Sequence, residues 1–214
     1  MAFDDIKAIH MRDSNDALGQ ILKVPKTLVL ELVTHLGEED INQAEELAAD
    51  VRKLASAWSP EVPSAKNLAK RLAKECIGGS LVVYAGPELG HAAYIWRRSF
   101  NRIAKVPAWQ INYPHDAEDD MLAWSGERGV RPYTIVHLRS GHESKEVQSL
   151  FERTNRLLSG KRPHVHRVDV PSDTRVEQLI WASVLGQCVA AYMAVASGLD
   201  PSDRGIIEKF MRAK

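Results

Sequence analysis

The residues best suited to chemistry lie in one run, His115-Asp116-Ala117-Glu118-Asp119-Asp120, which follows Pro114 at the end of a strand-like segment. His115 and Glu118 stand three apart, the spacing at which two side chains meet on one helical turn and can share a proton task. The further carboxylates of the run could hold a divalent cation. The same acidic run also suits the amino end of a helix, where it complements the dipole without any ligand. Upstream, Arg97, Arg98 and Arg102, followed by Lys105, gather near one helical segment. Guanidinium groups hold phosphate bidentately, and a solvated face or a salt-bridge network uses the same residues. Gly86, with Pro87 and Gly90, makes a turn after the segment LVVYA, and a strand that turns into a helix start can receive an anion on backbone N–H groups. That turn carries neither GxGxxG nor GxxxxGK[ST], and it has no Ser or Thr hydroxyl. His164 and His166 alternate on a strand and share a face, but no third ligand accompanies them, so no metal is expected. Ser140 and Ser183 lack a GxSxG context, which leaves serine hydrolysis without support.

Along the chain, the elements that must position these residues alternate. Two helical pieces are expected from Asp13 to Trp58, with Pro25 in a first turn, Gly37 as a stop and the acids Glu38, Glu39 and Asp40 at the second start. Pro60 and Pro63 break the chain, Ser64 can cap a third helix with the stripe Ala65, Leu68, Ala69, Leu72, Ala73 and Cys76, and Gly78-Gly79 closes it. Four short strands follow, SLVVYAG, AWQINYP, YTIVHL and HVHRVDV, separated by helices HAAYIWRRSFNRIAK, a segment near Asp116 to Trp124, and KEVQSLFERTNRLLSG. Alternating strand and helix calls for a parallel sheet covered on both faces. The expected fold is therefore α/β, a three-layer α/β/α sandwich with a short parallel sheet. Residues 1–62 read as a helical extension packing on the lobe, and residues 63–214 as the α/β domain.

Composition narrows the function classes. The 214 residues hold 28 Lys plus Arg against 28 Asp plus Glu, so no global field favours nucleic acid or an anionic membrane. Cys76 and Cys188 sit on helical apolar stripes without ligand spacing and read as two reduced core thiols. The start MAFDDIKAIHMRD has acids where a signal peptide needs positive charge, and a cytoplasmic location is expected. The stretch 178–199, QLIWASVLGQCVAAYMAVASGL, is uncharged and long enough to span a bilayer. Its Gln and Ser residues fit a helix covered on most sides by a sheet or a subunit partner, so no membrane span is expected.

Taken in order, PSAKNLAKRLA, LVVYAG, RRSFNRIAKVPAW, the loop 114–124 and VLGQCVAAYMAVASGLDP resemble the C-terminal half of bifunctional phosphoglucose/phosphomannose isomerases, built from two SIS (sugar isomerase) subdomains. The resemblance covers roughly Pro25 to the end. It implies an SIS-like fold and metal-free, cofactor-free isomerisation of glucose 6-phosphate and mannose 6-phosphate through an enediol. It also implies a glutamate from an Asn-Glu-Asn-like segment, a histidine from a Pro-Glu-Leu-Asn-His loop, and a lysine near the C-terminus.

This chain departs from that pattern. Asn101 is kept, but Arg102 stands at the glutamate, Glu118 at the histidine, His115 at the loop glutamate and Met211 at the lysine. The Ser/Thr-rich phosphate loops of the first SIS subdomain are not in evidence. The expectation is a degenerate, isomerase-like protein that binds a phosphorylated sugar through Gly86, Arg98, Asn101 and Arg102, or binds an SIS-type partner subunit. An active isomerase using His115 and Glu118, and a structural interaction module, are the alternatives. A homodimer or a partner subunit is expected to cover the uncharged helix.

Overall fold

In the computed structural model, residues 17–36, 41–126 and 132–213 are described. The expected start at Asp13, the stop at Gly37, the acids at 38–40 and the turn at 127–131 lie outside them. Strands β1 (Ser80–Ala85), β2 (Ala108–Asn112), β3 (Tyr133–Ser140) and β4 (Val165–Val170) form one parallel sheet in the order β2-β1-β3-β4. The register pairs Val83 with Gln110 on one side and with Val136 on the other, and Val136 in turn with His166. The four strands coincide with the four apolar runs read from the sequence, and the sandwich is α/β as expected.

Alternation within the strands splits the core in two. Leu81, Val83 and Ala85 of β1 join Val136, Leu138, Val168 and Val170 on one face, and Val82, Tyr84 and Ile135 point to the other. The first face is covered by α4 (Leu68–Cys76), α5 (Gly90–Ser99) and α8 (Arg175–Ala196). The second is covered by α6 (Ala117–Ser125) and α7 (Lys145–Leu157), through Ala117, Val147 and Phe151.

The helices α1 (Ala17–Leu22), α2 (Lys26–Leu36) and α3 (Ile41–Ala55) share the first core, through Leu18, Ile21, Leu28, Leu32, Ala48 and Val51. They lie against α8, whose apolar stretch is long enough to cross a membrane but is 83% buried inside the fold. The uncharged helix is thus covered by the chain's own elements, and the reason for expecting a partner there falls away. Two contacts set α8 tightly. Trp96 of α5 donates Nε1–H to the carbonyl of Ala182 at 2.7 Å, and a Cβ on Gly186 would lie 2.4 Å from the indole. Tyr192 donates to the carbonyl of Trp58 at 2.6 Å, which ties the end of α8 to the turn after α3. Cys76 and Cys188 are buried as expected, and burial raises both thiols, Cys76 to about 12.

One helix start differs from the reading above. Ser64 begins only a single 3₁₀ turn, Ser64–Lys66, and the cap of α4 is Asn67, whose Oδ1 accepts the N–H of Lys70 at 3.0 Å. Asn67 also donates to the carbonyl of Ser59 at 3.1 Å, so it serves the preceding turn and the helix together. The helix α9 (Gly205–Arg212) closes the described chain.

Candidate functional site

The crossover that leaves β1 runs through α5 on the first face, and the one that leaves β3 runs through α7 on the second. Open α/β sheets place ligands where neighbouring crossovers diverge in this way, at the carboxyl ends of the strands. Gly86 stands there, buried and extended at φ −77° and ψ −179°. A Cβ on it would lie 3.1 Å from Val147 Cγ1 and 3.2 Å from Glu88 Oε2. Glu143 is also beside it and is 6% exposed. Its carboxylate takes two donors from Arg139 and, at 2.9 Å, the N–H of Ser140. The charge around this turn is therefore carboxylate, offset by one buried arginine.

At the end of β2, Asp116 Oδ2 accepts the backbone N–H of Asn112 at 2.7 Å, and Asp116 Oδ1 accepts from His115 Nδ1 at 2.5 Å. The His115 side chain is 91% exposed, and its bond to Asp116 raises its pKa. Glu118 and Asp119 are exposed in the first turn of α6. His115 is thus bonded to Asp116 rather than to Glu118.

Asp120, one turn further, belongs to a different environment. It is 5% exposed and accepts from Tyr84 and Tyr113, both at 2.7 Å, and from Trp124 at 3.0 Å. Arg162 Nη1 lies 3.8 Å from the same carboxylate, too far for a hydrogen bond, while its guanidinium rests over the Tyr84 ring. His137 packs between Tyr84 and Phe151, with ring centroids at 4.8 and 5.0 Å. Its Nε2 is buried without a hydrogen bond, and burial, with Arg162, Arg139 and Arg167 nearby, holds its pKa well below the usual value. The acidic run therefore divides into a strand-end cap (Asp116), two solvated carboxylates and a buried hub. No pattern in the sequence separates Asp120 from its neighbours, although Tyr84 inside an otherwise aliphatic strand hints at a polar group beneath the sheet.

The basic cluster divides as well. Arg98 is bidentate with Glu31 of α2, at 3.0 and 3.1 Å, and His91 lies 3.5 Å from the same carboxylate. Arg97 donates to Gln110 at 3.2 Å. After α5 the chain continues as one wide turn, Phe100–Ala104, which Lys105 ends in the left-handed region at φ 57°. This turn swings Asn101 back so that its Oδ1 accepts the N–H of Ala108 at 3.0 Å. Arg102 is exposed and forms no ion pair among the described residues.

Asn101 and Arg102 therefore sit at the amino end of β2, and His115 and Glu118 at its carboxyl end. Gly86 is likewise about 15 Å from the Asn101 turn, the length of α5 at 1.5 Å per residue. The fold brings Gly86 near the His115 loop, since Asn112 Oδ1 lies 3.4 Å from the Cβ position of Gly90. It does not bring Arg98, Asn101 and Arg102 to that end. Sequence reasoning missed Arg139, Glu143, Gln178 and the Asp120 hub. Ser140 Oγ donates to Gln178 Oε1 at 2.6 Å, and Gln178 Nε2 donates to the carbonyl of Ser172 at 2.7 Å, which locks the ends of β3 and β4 onto α8. His164 and His166 have ring centroids 5.3 Å apart, and no third metal-ligand side chain joins them among the described residues.

A family model for the bacterial phospho-glucose isomerase C-terminal SIS domain matches residues 65–213. The chain belongs to that family. The SIS assignment agrees with the motifs in 63–124 and 184–201 and with the parallel sheet. Among solved structures, a glucose-6-phosphate isomerase like protein from Thermus thermophilus aligns with TM-score 0.64 at 22% identity, covering 86% of this chain and 59% of the other. Glucosamine-6-phosphate deaminase from Thermotoga maritima aligns with TM-score 0.52 at 11% identity, covering 82% of this chain and 53% of the other. The SIS domain described here thus spans little more than half of either structure. No curated protein matches its sequence significantly.

Proposed function

We propose that this SIS domain binds a phosphorylated sugar, or a partner SIS subunit, in the cytoplasm without isomerising the sugar. The observation that carries this reading is the separation of the candidate residues along β2. A strand rises about 3.3 Å per residue, so Ala108–Asn112 alone holds Asn101 and Arg102 about 13 Å from His115 and Glu118. An acid and a base acting on one open-chain sugar must both be within hydrogen-bond reach of it. Arg102 in addition brings no carboxylate to the position where a base is needed.

Arg102, exposed and outside any ion pair among the described residues, is the best placed contact for the phosphate. Arg98 would first have to leave Glu31. Glu88 and Glu143 beside Gly86 disfavour an anion at that turn, and at this separation a sugar whose phosphate Arg102 holds reaches neither Gly86 nor the His115 and Glu118 loop. The active-isomerase alternative draws on the His115–Asp116 bond, which favours a protonated imidazole able to donate to a ring oxygen.

The test is a melting screen with glucose 6-phosphate, mannose 6-phosphate and fructose 6-phosphate at millimolar concentration, together with an interconversion assay. A ligand that binds only the folded chain raises Tm. We expect a rise that Arg102→Ala removes, and no interconversion. Turnover abolished by His115→Ala or Glu118→Ala would sink the degenerate reading. The absence of any shift would leave a structural interaction module.

A further inference from the structure

His91, Tyr94 and Arg98 of α5 stand at positions i, i+3 and i+7, so they share one face of the helix. The Tyr94 ring lies 5.4 Å from the His91 ring and 5.6 Å from the Arg98 guanidinium carbon, and it spaces the two polar groups apart. Both reach one carboxylate. Glu31 takes both terminal nitrogens of Arg98, at 3.0 and 3.1 Å, and its Oε1 lies 3.5 Å from His91 Nε2. A guanidinium holds carboxylate and phosphate alike in this forked geometry. The neighbouring charge is positive too, since Arg97 stands over the same Tyr94 ring at 5.1 Å and donates to the neutral Gln110. Among the described residues no carboxylate other than Glu31 is ion-paired with Arg97 or Arg98.

The carboxylate and its donors come from different parts of the chain. The helix α5 lies within residues 65–213, the matched SIS domain, and Glu31 comes from α2, ahead of it. Leu28, Val29 and Leu32 of α2 are buried in the first core, where the helix packs on α3 and α8. Those contacts seat α2 without Glu31. The Glu31 and Arg98 side chains are 31% and 34% exposed, a setting in which an ion pair adds little to stability and solvent reaches both partners.

We propose that His91 and Arg98 form an oxyanion site that Glu31 plugs from within the chain, and that a phosphate group is the external ligand it excludes. The plug rides on a docked helix, so it stays at the site at an effective concentration that dissolved phosphate does not match. Only a withdrawn or neutral side chain at position 31 opens the site. The site does not use Arg102 and stands apart from the sugar-binding reading.

The test is a calorimetric titration of the full chain with inorganic phosphate, with ionic strength held constant by sodium chloride. Glu31→Gln is expected to bind phosphate at least about tenfold more tightly than wild type, because a like charge facing the anion is removed. Its Tm is expected to stay close to that of wild type, since α2 keeps its apolar seat. Glu31→Asp, which keeps the charge on an arm one methylene shorter, is expected to fall between the two. Adding Arg98→Ala to Glu31→Gln is expected to abolish the gain, and adding Arg102→Ala to leave it. The His91 ring signals of Glu31→Gln are expected to shift as phosphate is added. Equal affinity of Glu31→Gln and wild type overturns the proposal, as does a gain that survives Arg98→Ala. A gain that Arg102→Ala removes assigns the phosphate to the exposed arginine and overturns it as well. Failure of the sugar screen on the wild-type chain bears on Arg102 and leaves this titration untouched.

Discussion

Asn101 closes the outer edge of the sheet by accepting the backbone N–H of Ala108 at 3.0 Å. The N–H of Tyr113 points inward, to the carbonyl of Ala85, so Ala108, Gln110 and Asn112 direct their backbone groups outward. Asp116 takes the N–H of Asn112, and only Gln110 keeps an outward donor in the middle of the strand. An edge strand with open donors invites pairing with another chain, and here two side chains guard it.

Replacing Asn101 with alanine is therefore expected to lower stability by about 1 kcal/mol with no ligand present, the worth of one hydrogen bond. Asn101→Asp, which keeps the acceptor, is expected to retain most of it. Urea unfolding of the three proteins checks this. Equal stability of wild type and Asn101→Ala would leave the residue available for a purely ligand-binding role.

Gly186→Ala addresses the seat of Trp96. The added methyl would lie 2.4 Å from the indole, and α8 and α5 are both held in the core, so the overlap is expected to cost about 3 kcal/mol, at the upper end of ordinary overpacking. Trp96→Phe in the same chain opens room, and the double variant is expected to be more stable than the sum of the two single losses implies. Strict additivity in a thermal double-mutant cycle would show that the contact is not the cause.

His115 supplies a titration without a stability change. Its pKa is raised by Asp116, so the favourable pair is fully present below the unfolded value of 6.5 and is lost as pH rises through the folded one. On a side chain this exposed, the effect is read by NMR rather than by unfolding. The His115 ring signals are expected to titrate with a midpoint above 6.5 and to return to it in Asp116→Asn. An unchanged midpoint in that variant would remove Asp116 as the cause.

His137 works in the opposite sense. Its folded pKa lies well below 6.5, so below pH 6.5 the unfolded chain binds a proton that the folded chain refuses. Stability is expected to fall with acidity there, by up to about 1.4 kcal/mol per pH unit from this group. His137→Phe, which leaves no unbonded ring nitrogen between Tyr84 and Phe151, is expected to flatten that slope. Identical acid profiles for both proteins would contradict the assignment.

The sheet was legible because its signal is local. Four short β-branched runs, each followed by a helix, admit few arrangements other than a parallel sandwich. The site was legible only as a list of residues. Asp116 and Asp120 are four apart and chemically identical, yet one caps a strand end in partial exposure and the other holds two tyrosines and a tryptophan beneath the sheet. That difference is made by Tyr84, which arrives from β1, and by Tyr113, which stands just past the end of β2. Arg98 read as a phosphate grip until Glu31, 67 residues away, took both its nitrogens. The uncharged stretch 178–199 likewise read as needing a second subunit, because nothing local announces that α1, α2 and α3 return to cover it.

That last arrangement has a consequence for synthesis. The helices α1 to α3 are made early, but the surface they rest on, α8, leaves the ribosome more than a hundred residues later. At 5–20 residues per second, their apolar sides wait on the order of ten seconds for their native seat. During that interval the sheet can pair strand by strand, but its first face has only α4 and α5 to cover it. The helix α8 therefore completes two docking events at once when it emerges, and a chain stalled before Arg175 would present both unfinished surfaces to the chaperones of the cell.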